Sequence, residues 1–132
     1  MVRHKDSGEV QDVCNNGEYS CAFFVSSLLT LTSYLERPRA TVAGLRASLL
    51  SLSLERVASV EDVWPGDIIF WEKIVFDNGQ ANEHVGFVIT KSRAISTSFK
   101  KRMVVEHDIE MPGGMGEEKR KITLILRLPQ TF

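Results

Sequence analysis

From Cys21 onward the apolar positions Phe24, Val25, Leu28, Leu31 and Leu35 recur at steps of three and four residues, with Ser26, Ser27, Thr30 and Ser33 between them. That spacing lays a single apolar stripe along a helix. Ser20 stands where an N-cap belongs, and Pro38 marks the stop. A second helix is expected from Thr41 to about Leu50, capped by Thr41, with Val42, Leu45 and Leu49 on its inner face and Gly44 as a cost in its interior.

The second half of the chain has a different rhythm. Asp67 to Trp71 follows a Pro65-Gly66 turn and reads as a buried strand, as does His84 to Ile89. Arg93 to Phe99, Met103 to Ile109 and Lys121 to Leu128 complete a set of about five strands. The connections carry Asp77-Asn78-Gly79, Lys91-Ser92 and Pro112-Gly113-Gly114, residues that suit turns. Helices first and a run of strands afterwards predict an α+β domain, its N-terminal helices packed on an antiparallel sheet. No repeat, low-complexity tract or linker divides residues 1–132, so one domain is expected.

Composition narrows the function classes. A chain of 132 residues can bury about two-thirds of its unfolded surface, so no disulfide or metal is required for stability. With a formal net charge of -1 there is no basic excess to neutralise phosphates, which argues against nucleic acid as a partner. The clusters Lys100-Lys101-Arg102 and Lys119-Arg120-Lys121 read as solvated loops, the second offset by Glu117 and Glu118. No run approaches the ~18 apolar residues of a membrane span. Residues 1–13 carry charges and no apolar stretch of the kind that directs export, so a cytoplasmic location, or release to the cell wall by another route, is expected. A monomer is expected as well.

Cys14 and Cys21 make no zinc site, since His84 and His107 lack the paired ligand spacing, and no cofactor is called for. An oxidising compartment would permit a Cys14–Cys21 disulfide without requiring one. Cys21 itself sits near a helix start, where the macrodipole and unpaired N–H groups lower a thiol's pKa from its free value of about 8.5. A thiol nucleophile needs an imidazole on a rigid element to take and return a proton. His84 opens a strand whose alternation sends His84 and Gly86 one way and Val85, Phe87 and Ile89 the other, leaving the His/Gly face free.

Three ordered blocks resemble the NlpC-type cysteine peptidases, a bacterial cell-wall branch of the papain-like superfamily: Tyr19-Ser20-Cys21-Ala22-Phe23-Phe24-Val25, Val63 to Trp71 with its Pro-Gly-Asp turn, and His84-Val85-Gly86-Phe87-Val88-Ile89. CHAP-type amidases share the Cys-before-His order. The resemblance implies a papain-like core, attack of a Cys21 thiolate on an amide with His84 as base and acid, and a peptidoglycan fragment or peptide as substrate. It also implies a polar group about twelve positions after the base, where Ser96 stands; Thr97, Glu106 and His107 are the other candidates. Tyr19, Ser20 and Trp71 are the candidate substrate-binding residues, and the Cys21 N–H the candidate oxyanion donor. The chain departs from the family at Ser20-Cys21-Ala22-Phe23, where Asp-Cys-Ser-Gly is usual. Two alternatives stay open: a catalytically weak or inactive binding module of the same fold, and a thiol acyltransferase or deamidase acting on another substrate.

Overall fold

A computed structural model describes residues 2–3, 10–11, 18–75, 81–98, 103–110 and 120–129, the side chains of 2, 3, 10, 11, 18–20, 75, 81, 82 and 98 excepted. The described residues form an α+β unit of two α-helices and a six-stranded antiparallel sheet. A separate two-stranded ladder joins β1 (Val2–Arg3) to β2 (Val10–Gln11).

Helix α1 spans Glu18–Leu31, so Ser20 lies inside it and is not the N-cap expected. Cys21 is therefore the fourth residue of α1. The helix also ends well before Pro38. Ser33 adopts a left-handed φ of 69°, Tyr34 N–H donates to Leu29 O at 2.8 Å, and Ser33 N–H donates to Thr30 O at 3.1 Å. Those bonds form a Schellman cap, and the reversal returns Leu35 to the core after the helix has stopped.

Helix α2, Val42–Leu50, matches expectation: Thr41 Oγ1 accepts from Gly44 N–H at 3.0 Å, and Val42, Leu45 and Leu49 are fully buried. The sheet holds β3 (Glu55–Arg56), β4 (Ile68–Val75), β5 (Ala81–Val88), β6 (Arg93–Ser98), β7 (Met103–Asp108) and β8 (Ile122–Arg127). Their order is β3-β8-β4-β5-β6-β7. All five expected strands are present, and β3 makes the sixth, a two-residue edge held only by pairing with β8. The turn before β4 is a tight one in which Asp67 N–H donates to Trp64 O and Gly66 takes a φ of 93°, the left-handed value that a type II turn asks of its third residue. The expected turns at residues 77–79 and 112–114 lie outside the described residues.

Each face of the sheet carries its own apolar cluster. Ile68, Phe70, Val85 and Leu126 pack with Cys21, Ala22, Val25 and Leu29 of α1 and with the buried face of α2. On the opposite face Ile69, Trp71, Val88, Ala94 and Ile125 pack with Val63 and Ile109, while Val57 and Val60, from the segment around the 3₁₀ turn Val60–Asp62, lie against them. The His/Gly face of β5, expected to be free, is thus largely covered. Asp67 ties the turn before β4 to the neighbouring strand β8: its carboxylate accepts from Trp64 N–H at 2.8 Å and from Arg127 Nε and Nη2 at 3.0 and 2.9 Å, and the Arg127 guanidinium lies 3.6 Å from the Trp64 ring centroid.

Candidate functional site

The second face gathers the candidate chemistry. Register pairs Trp71 with His84 across β4 and β5, and Ala94 with His107 across β6 and β7. Because alternate strand residues share a face, His84, Ser96 and His107 come to one side of the sheet. Gly86 makes their approach feasible. A Cβ there would lie 2.5 Å from Ile95 O and 2.9 Å from Ser96 Cβ, so only glycine lets β6 come this close.

The Ser96 hydroxyl is shared by two imidazoles. His84 Nε2 lies 2.7 Å from Ser96 Oγ, and His107 Nε2 lies 2.6 Å from the same oxygen. Both distances are those of short hydrogen bonds. The far nitrogen of His107, Nδ1, is 2.8 Å from Asp108 O. Trp71 stands behind both rings at centroid distances of 5.4 and 5.6 Å. Its own ring is wholly enclosed, with Nε1–H donated to Ile109 O at 2.9 Å, so it backs the imidazoles and does not present a face to solvent.

The electrostatics favour a neutral His84. Burial, with the Arg120 guanidinium and the neighbouring His107 imidazole adding to it, pushes its pKa down from 6.5 to about 3. Arg120, expected in a solvated loop, is instead buried, and its Nε–H donates to Glu72 O at 2.8 Å. No run of the sequence signals that role; Arg120 lies just before β8, whose pairing with β4 is irregular at Trp71.

The other candidates are distributed as follows. Cys21 is fully buried, in the helix-side core with Val25, Phe70 and Val85. Helix α1 packs on β5 and β6, with Phe24 edge-on to Phe87. Val85 and Phe87 alternate with His84, so the imidazole leaves β5 on the face opposite the one that α1 covers. Structure therefore unites His84 with Ser96 and His107, and holds Cys21 in the other layer. Thr97 faces away from Ser96, its Oγ1 buried with no partner among the described residues. Glu106 pairs with Arg93 at 3.1 Å and takes no part in the cluster. Glu83 forms an ion pair with Arg46 of α2. The side chains of Tyr19 and Ser20, and the whole of Cys14, lie outside the described residues.

Among the described residues no group of three or more His, Cys, Asp and Glu side chains is placed to hold a metal, and no helix is long and apolar enough to cross a membrane. Compared with known proteins, the chain is matched by no family model and by no curated sequence.

Proposed function

We propose that this domain is a cysteine hydrolase that cleaves an amide bond, with bacterial peptidoglycan peptides as the substrate class, and that the conformation described is a resting one, with base and nucleophile in different layers. The observation that carries the reading is the 2.7 Å bond from His84 Nε2 to Ser96 Oγ, between residues twelve positions apart. This is the separation that the resemblance to NlpC-type peptidases requires of base and orienting group. In the reaction, the Cys21 thiol gives its proton to the free His84 nitrogen, Nδ1, and sulfur attacks the carbonyl carbon. The C–N bond then breaks, the amine leaves with that proton, and water hydrolyses the thioester with His84 again accepting a proton. A ring whose pKa sits near 3 takes a thiol proton only with an anionic sulfur against it. Approach of sulfur and the rise in the basicity of His84 are thus one event, and because the two side chains leave opposite faces of the sheet it requires the layers themselves to rearrange, not a shift of α1 alone.

Cys21's enclosure in the helix-side core favours a second reading, a binding module of the same fold in which Cys21 is only a small apolar residue. Alkylation separates the two. A thiol exposed only by global unfolding labels about 10³-fold or more below the rate of a free thiol, whereas a nucleophile that opens to substrate labels far faster and with an apparent pKa below about 8.5. Wild type and Cys21→Ala are then given purified peptidoglycan and the products analysed by mass spectrometry. New peptide ends from wild type alone support hydrolysis; slow labelling together with no product leaves the binding module.

A further inference from the structure

We propose that His107 is a positioning residue that fixes the tautomer of His84 through the Ser96 hydroxyl, so that His84 carries its proton on Nε2 and presents a bare lone pair on Nδ1. The inference serves the hydrolase reading, which needs a basic Nδ1, but rests on hydrogen-bond inventory alone.

The constraint on both rings starts at a group that cannot donate. Asp108 O is a carbonyl oxygen, so the 2.8 Å bond to His107 Nδ1 requires the hydrogen to be on that nitrogen. A neutral His107 then has an unprotonated Nε2, which can only accept. Ser96 has one hydroxyl hydrogen, and at 2.6 Å that hydrogen goes to His107 Nε2. With its hydrogen committed, Ser96 Oγ can only accept from its other neighbour. His84 Nε2, 2.7 Å away, must therefore be the protonated nitrogen. A neutral imidazole carries one N–H, so Nδ1 of His84 is left as the lone pair.

A serine alone could not do this, because its hydroxyl either donates or accepts and leaves the imidazole free to be either tautomer. Adding His107, anchored to a backbone carbonyl of its own neighbour, removes that freedom. The strand register makes the arrangement possible, since Ala94 pairs with His107 and Ser96 with Val105, which turns the His107 ring toward the serine one step along β6.

Nitrogen-15 NMR of the imidazoles at neutral pH reads the tautomers directly. Wild type is expected to show His84 as Nε2–H and His107 as Nδ1–H. In His107→Phe, which keeps an aromatic ring beside Trp71, the Ser96 hydrogen is released and His84 is expected to populate both tautomers. Ser96→Ala, a smaller change, is expected to give the same mixture. A wild-type His84 found as Nδ1–H overturns the proposal, and so does a His84 tautomer unchanged in both folded variants. Where hydrolysis is measurable, His107→Phe should lower kcat about 10-fold or more with KM little changed. If the wild type hydrolyses nothing, the hydrolase reading falls while the NMR result still decides this one.

Discussion

The neutral His84 makes a quantitative demand on acid stability. In the unfolded chain its ring has a pKa of about 6.5, whereas in the fold burial, the Arg120 guanidinium and the neighbouring His107 hold it near 3. Between those values the unfolded state binds a proton that the folded state refuses, so stability rises with pH across this window and falls on acidification. The contribution is intact above pH 6.5 and drains away as pH drops toward 3. Taken at full strength, linkage removes about 2.5 kcal/mol between pH 7 and pH 4.5. His84 keeps some contact with solvent, and screening there trims the expected loss to about 1–2 kcal/mol. That is a sizeable share of the roughly 5–15 kcal/mol that holds a domain together. Carboxylates add their own acid sensitivity, so the variant to compare is His84→Gln, which keeps polarity and cannot titrate. Urea unfolding of both proteins at pH 7.0, 5.5 and 4.5 isolates the histidine, provided the slopes with urea agree. The stability difference between wild type and variant should shift by about 1–2 kcal/mol against wild type as pH falls. Parallel stability–pH curves for the two proteins would refute the argument, because His84 would then titrate alike in both states.

Three substitutions test other parts of the frame. Asp67→Ala removes the carboxylate that receives Arg127 and Trp64 N–H, and leaves a guanidinium only 11% exposed; a loss of about 3 kcal/mol in chemical denaturation is expected, at the low end for a buried pair because Glu55 and Asp62 O remain beside it. Gly86→Ala drives a methyl group into Ile95 O and Ser96, so it should cost about 2 kcal/mol or more and weaken the His84–Ser96 bond, visible as a lower urea midpoint together with shifted imidazole resonances. Thr97→Val deletes a buried hydroxyl without a partner among the described residues and keeps the shape, so it should raise stability by about 1 kcal/mol; a loss of similar size would mean that the hydroxyl is bonded after all.

What could be read from the sequence, and what could not, divides along a physical line. Signals carried within a few residues served well. Thr41, Val42, Leu45 and Leu49 define α2 by cap and periodicity, and both features are present. Pro65-Gly66 marks the turn ahead of β4, and the five apolar or alternating runs all pair as strands. Glu55 and Arg56 were illegible because two exposed charged residues have no pattern; they are strand only through their partners on β8. Leu35 continues a helical rhythm yet follows a left-handed Ser33, because a residue beyond a Schellman cap can reach the same core by another path. His107 was one of several candidate third groups, and choosing its role needed the β6–β7 register, which fixes that it shares a face with Ser96.

The hardest matter was which layer holds the sulfur, and there a signal did exist. Ile68-Ile69-Phe70-Trp71 is apolar without interruption, and an uninterrupted apolar strand is one with both faces covered. Val88, two steps beyond Gly86 on the face of His84, says the same of β5. Reading the His/Gly face as open treated β5 as half-solvated, whereas β4 beside it already implied a cover on each side. Once both faces are covered, the position of a cysteine on a helix no longer tells which imidazole it can meet, because the helix can lie on either side with the same apolar stripe. Val85 and Phe87 are the larger pair of side chains on β5, and α1 packs against them with Phe24 edge-on to Phe87. Bulk, not chemistry, thus sets where α1 rests, and any encounter of Cys21 with His84 has to be made at the expense of that packing.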